Sequence, residues 1–154
     1  MRHFFMVLIA AVTIGGCDRT EYPFLQMDFC IAGEEDRPIL RSTLEALARD
    51  HRMEFGDRSA EAEVELRSQD AALNYHSQSY PLLMMRIYAA DGPSLSVNNV
   101  GLSANQVGMG FTAGKDRQKA QALAEDAIKR FSGKWKLRKV SSDHGITPRS
   151  DCAK

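Results

Sequence analysis

The chain has 154 residues, 44% of them apolar, and its 20 Lys+Arg balance 20 Asp+Glu to a formal net charge of zero. That balance argues against a nucleic-acid partner, which demands a basic excess, and against a polybasic membrane-surface module. The apolar content suits a packed globule and not a disordered chain.

Arg2 and His3 open the sequence, and Phe4 to Ile14 then form an apolar run of 11 residues. As a helix it would be about 16 Å long, short of the roughly 20 residues that span a bilayer core. It has the length of the hydrophobic region of a signal peptide. Gly15 and Gly16 are the small residues a signal peptidase needs, and Asp18-Arg19 end the run. Ile14-Gly15-Gly16-Cys17 resembles the lipobox of bacterial lipoproteins at all four positions. The resemblance implies cleavage before Cys17, a thioether-linked diacylglycerol on its sulphur and a further acyl chain on its amine. It also implies a periplasm-facing protein anchored in the cell membrane by its lipid. One acyl chain binds marginally, whereas two or three hold firmly. Asp18 resembles the inner-membrane retention signal of enteric lipoproteins. The alternative is an ordinary signal peptide with an incidental cysteine.

The expected organisation is a signal peptide at 1–16, a lipidated tether at 17–23 and one α+β domain at 24–154 with an irregular C-terminal tail. Without residues 1–16, 138 residues remain, with 19 Lys+Arg against 20 Asp+Glu. A chain of that length buries about two-thirds of its unfolded surface.

Residues 24–32 read as a strand with Leu25, Met27, Phe29 and Ile31 on one face. Asp36 is placed to cap a helix with Pro38 near its first turn, and Leu40, Leu44 and Leu47 supply the apolar stripe. Met53 to Phe55 is a short strand. Ser59 is placed to cap a charged, peripheral helix through Leu73, and a polar loop follows to Tyr80. Leu82 to Ala90 is apolar on both faces, which predicts a central strand. Asp91 to Ser94 is a turn, Ser94 to Val100 a return strand and Val107 to Thr112 another short strand. Asp116 is placed to cap a helix with the stripe Ala120, Leu123, Ala124, Ala127, Ile128 and Phe131, and Gly133 stands where a left-handed C-cap is wanted. Lys134 to Val140 alternates as a half-buried strand.

A weak repeat is visible. Met27-x-Phe29 and Met109-x-Phe111 each precede Ala-Gly and an Asp-capped helix, and Phe29 to Met53 and Phe111 to Trp135 are both separated by 24 residues. The fold expected is α+β: a mixed or antiparallel sheet with two main helices on one face, built from pseudo-duplicated strand–helix–strand units.

Cys30 and Cys152 remain besides Cys17. Export puts them in an oxidising space, where an even pair bridges. The bond would pin the tail to the first strand. The rival arrangement is a buried free Cys30 with an exposed Cys152.

Chemical motifs are weak. Gly108 to Lys115 invites a phosphate-loop reading, but Met109 occupies the position of the first required glycine and Asp116 that of the magnesium-binding hydroxyl. Neither a nucleotide nor any cofactor is expected. His51, His76 and His144 lack metal-ligand spacing, so no metal is expected. Gly101-Leu102-Ser103-Ala104-Asn105 nears the nucleophile elbow but ends in Asn. Asn98, Asn99, Ser103, Asn105 and Gln106, with His76, form a candidate partner-binding loop, although turn chemistry explains Asn and Gly there equally well. The resulting expectation is a non-catalytic binding module of the inhibitor, immunity or accessory-subunit kind, with an envelope protein or glycan as partner. The competing expectation is a small periplasmic hydrolase using Ser103 and His76.

Overall fold

In the computed structural model, residues 22–73, 80–141 and 145–152 are described. Cys17, His76 and His144 lie outside them. Among the described residues the elements in chain order are β1 (Leu25–Cys30), α1 (Asp36–Asp50), β2 (Glu54–Asp57), α2 (Ser59–Leu73), β3 (Met84–Tyr88), β4 (Ser94–Asn98), β5 (Gln106–Thr112), α3 (Arg117–Ser132), β6 (Arg138–Val140) and a 3₁₀ turn (Ser150–Cys152). The strands form one sheet in the order β2-β3-β4-β5-β1-β6, with every neighbouring pair antiparallel. The class is α+β, with helices packed on the sheet.

Alternation along each strand separates two faces. Register aligns Phe55, Ile87, Leu95, Phe111 and Leu25 in one row, and Met85, Val97, Met109 and Met27 in the next. This inner face meets the stripes Leu40, Leu44 and Leu47 of α1 and Leu123, Ala127 and Phe131 of α3 in one core. The Phe29 ring lies 5.7 Å from Phe131 and 5.2 Å from Trp135 between centroids. Such aromatic pairs contribute about 0.5–1.5 kcal/mol each beyond their buried area. The third helix, α2, packs against β3 and leaves Val64 exposed, in keeping with its few apolar residues.

The repeat has a geometric counterpart in the pairing of β1 with β5. Met27 pairs with Met109, its own equivalent, across β1 and β5. The shift of 82 residues that superimposes the two methionines carries α1 onto 118–132, within α3. The symmetry breaks at the second strands. The β5–α3–β6 connection passes over β1 alone, whereas β1–α1–β2 passes over β5, β4 and β3. The β3–β4 hairpin is wedged where β2 would complete the symmetric arrangement.

Several local expectations are corrected. β3 is next to the edge and not central, because Met84 and Tyr88 lie half-buried on the outer face and Arg86 is exposed there. The glycine-bearing β5 holds the middle instead. The strand expected at 134–140 shrinks to Arg138–Val140, since Trp135 leaves the α3 terminus directly for the core. Asp36 does not cap α1: it lies inside the first turn, and its carboxylate accepts from the Ala32 amide at 2.7 Å and the Trp135 indole at 3.2 Å. The Ser59 hydroxyl accepts from the Met84 amide, and Asp57 takes up the Ser59 amide and hydroxyl at the start of α2. Asp116 caps α3 as expected, by accepting from the Lys119 amide at 3.0 Å. Gly133 keeps a right-handed φ of −70° and closes no left-handed cap.

Gly114 is required for two reasons. Its φ is +56°, and a Cβ there would stand 2.2 Å from the Gly92 carbonyl oxygen across the β3–β4 turn. Gly114→Ala is expected to cost about 1–3 kcal/mol, read as a lowered urea midpoint with an unchanged slope.

Candidate functional site

The outer face of the sheet is polar, and both described ends of the chain cross it. Gly108 and Gly110 sit two residues apart on β5, so both lack a side chain on this face. A Cβ on Gly108 would meet Ile146 at 2.6 Å, and one on Gly110 would meet Pro23 at 3.4 Å. The glycines that suggested a phosphate loop are therefore docking notches for the two ends of the chain. Cys30 and Cys152, with Cα atoms 5.1 Å apart, form a disulfide that fastens the tail over β1.

Beneath the tail lies Asp28, fully buried on the outer face of β1. Arg138 of β6 grips it with two guanidinium nitrogens, one at 2.9 Å. The Gln106 amide donates to it at 2.9 Å and Arg149 of the tail at 3.2 Å. An isolated buried carboxylate is costly, but one held by two guanidiniums and an amide is compensated. The hydrogen bonds that Arg138 donates to Asp28 hold its guanidinium above its ordinary pKa. Arg149 is raised too, first by its bonds to Asp151 and then by Asp28. Asp151 is correspondingly lowered by Arg149.

Four of the polar residues expected to face a partner, Asn98, Asn99, Ser103 and Gln106, use side-chain hydrogen bonds internally. Gln106 is fully buried, and its side chain donates to the Thr147 carbonyl at 2.9 Å and accepts from the Arg149 amide at 2.8 Å. The Ser103 hydroxyl donates to the Arg149 carbonyl at 3.1 Å. Asn99 is buried and accepts from the Leu83 amide at 2.8 Å, and Asn98 accepts from the Val100 amide at 3.2 Å. The Asn105 carbonyl accepts from the Ile31 amide at 2.8 Å. Ser103 and Gln106 thus meet at the tail, while Asn98 and Asn99 brace the turns around β3 and β4. Tyr80 donates to the Leu102 carbonyl, and burial raises its pKa.

Asp28, Arg138 and Arg149 escaped the sequence reading. One signal could have found two of them: a Cys30–Cys152 bond brings Arg149, three residues before Cys152, close to Asp28, two residues before Cys30. Cys30, Asp151 and Cys152 also form a cluster of metal-ligating residue types. With the two sulphurs bonded to each other, neither offers a thiolate.

The other half of the outer face is open. Arg86 is exposed with its guanidinium 5.6 Å from the centre of the Tyr88 ring, and it donates to Ser94 at 3.2 Å. Ser94 and Thr112 share a hydrogen bond of 2.8 Å across β4 and β5. The neighbouring Glu54 carboxylate raises the pKa of the Tyr88 phenol. Ser96 lies between Arg86 and Gly110 in register, so this part of the surface is low, with the Arg86 side chain on one flank and Pro23 over Gly110 on the other.

His51 closes the α1–α3 layer and not a catalytic arrangement. Its Nε2 lies 3.1 Å from Asp126, which Arg130 holds at 2.9 and 2.8 Å while also reaching Asp50 at 2.7 Å. The Arg130 hydrogen bonds, followed by His51, lower the Asp126 pKa. A lowered folded-state pKa adds stability that is fully present above the unfolded value near 3.9 and is lost as pH falls through the folded one. Asp126→Asn should therefore destabilise at neutral pH, with the gap to the parent closing below about pH 4. Urea titrations at a series of pH values check this. A gap that widens in acid would be the wrong sign.

No protein-family model matches this chain, and no curated protein matches it.

Proposed function

We propose that this chain is an exported, lipid-anchored envelope protein that acts by binding and not by catalysis, with the open half of the outer sheet face as its contact surface. Export draws support from the lipobox-like Ile14-Gly15-Gly16-Cys17 and from the Cys30–Cys152 disulfide, a bond suited to an oxidising compartment. The observation that carries the binding reading is the division of the outer face. The groups with catalytic potential, Asp28, Ser103 and Gln106, are spent on the chain's own tail. The cationic and aromatic groups Arg86 and Tyr88 face outward over a shallow centre.

Arg and Tyr are the residue types that concentrate binding energy at protein interfaces. The partner class is an envelope protein that presents a carboxylate to Arg86, in an inhibitor, immunity or accessory-subunit arrangement. Four residues lie between Cys17 and Tyr22, so the five steps reach about 17 Å at most. Pro23 leaves the domain over Gly110, so the tether emerges on this same face. The contact surface is thereby held close to the bilayer.

Two experiments test the proposal. Cys17→Ala should move the protein from the membrane fraction to the soluble one, and continued anchoring refutes the lipid reading. A photo-crosslinking residue at Ser96 should give a discrete adduct in intact envelopes, while the same residue at Ile39, exposed on α1, should not. Adducts from both sites alike, or from neither, refute the contact surface.

A further inference from the structure

The C-terminal tail is held by the sheet in the manner of a bound peptide. Residues 145–149 form no strand, and among the described residues no backbone–backbone hydrogen bond joins them to the sheet. Their contacts come from side chains of the sheet and its loops. Gln106 reads the backbone of alternate residues, donating to the Thr147 carbonyl and accepting from the Arg149 amide. Ser103 donates to the Arg149 carbonyl. These bonds are indifferent to sequence. Two further contacts are selective: the Arg149 guanidinium meets the buried Asp28, and Ile146 enters the notch left by Gly108 beside Leu102.

We infer that Asp28, Gln106, Ser103 and Gly108 form a peptide-binding site, filled by the chain's own residues 146–149 while the disulfide is closed. Its ligand is an extended peptide with a branched apolar residue followed three positions later by arginine. Backbone clamping by an amide pair combined with side-chain pockets is a recurrent mode of peptide recognition. The site survives removal of the tail because Asp28 keeps both Arg138 and the Gln106 amide.

The Cys30–Cys152 bond decides the occupant. Closed, it keeps the tail at a high effective concentration that a free peptide cannot match. A dithiol reductant opens it by transferring two electrons and two protons: the dithiol becomes a disulfide, and Cys30 and Cys152 become thiols.

The test uses the full chain carrying Arg149→Glu and Cys152→Ser, which repels its own tail from Asp28 and frees the Cys30 thiol. A synthetic peptide Gly-Ile-Thr-Pro-Arg-Ser-Asp-Cys is presented in a glutathione buffer, and mixed disulfide at Cys30 is read by peptide mass mapping, which separates it from Cys17. The native peptide should capture Cys30 about tenfold more than the same peptide with Glu for Arg, since a charge-assisted bond to Asp28 is at stake. Equal capture overturns the site. A second measurement is independent of that variant's folding: hydrogen exchange on the native chain with dithiothreitol. Amides of 145–152 should lose protection while β1 and β5 keep theirs. Loss across the whole sheet would make the tail part of the fold and overturn the proposal.

Discussion

Serine at both Cys30 and Cys152 is expected to lower stability by about 2–5 kcal/mol, and the melting temperature by about 10 °C or more. The two cysteines are 122 residues apart in sequence, so the bond closes nearly the whole domain into one loop. In the chain-entropy model a loop of that size restrains the unfolded chain by close to 5 kcal/mol. The effect acts on the unfolded state. It should therefore appear as a shifted calorimetric midpoint with the native far-UV circular dichroism unchanged at 25 °C. A shift of only a degree or two would show that the reduced unfolded chain already keeps its ends together.

Replacing both Arg138 and Arg149 by alanine should cost about 3–5 kcal/mol, because it strands Asp28 as a buried carboxylate with Gln106 as its one remaining donor among the described residues. Asp28→Asn should cost less, about 1–3 kcal/mol. The asymmetry follows from exposure. Asp28 is sealed within the outer face, while Arg138 is 48% exposed and can turn to water. Urea unfolding of the two variants checks the order, and a more damaging Asp28→Asn would reverse the assignment of which partner bears the desolvation. The double alanine variant should also loosen the tail, visible as faster reduction of Cys30–Cys152 by dithiothreitol, since Arg149 is one of the groups that holds residues 145–152 down.

Much of the fold is legible in short-range patterns. The inner face of β1 follows from the alternation of Leu25, Met27, Phe29 and Ile31, and the buried sides of α1 and α3 follow from their leucine and alanine stripes. The pairing of Met27 with Met109 across β1 and β5 matches the repeat in the sequence. What misled was local chemistry with two possible uses. Gly108 and Gly110 look like a phosphate loop in one dimension and are notches for the chain ends in three. Asn99, Ser103 and Gln106 look like an outward polar loop, yet they satisfy Leu83, Thr147 and Arg149.

Alternation and helical period say which side of an element is apolar, so the sequence by itself determined most of the strand and helix segments, much of the core and the class of fold. Those patterns carry no information about which strand lies beside which. The insertion of β3 and β4 between β5 and β2 was decided only in the tertiary structure. So was the burial of Asp28, because a polar residue at an alternate strand position is solvent-facing unless another segment covers it. Here the covering segment arrives from residues 145–152, across the whole length of the domain, and a contact between such distant positions leaves no periodic trace in either segment.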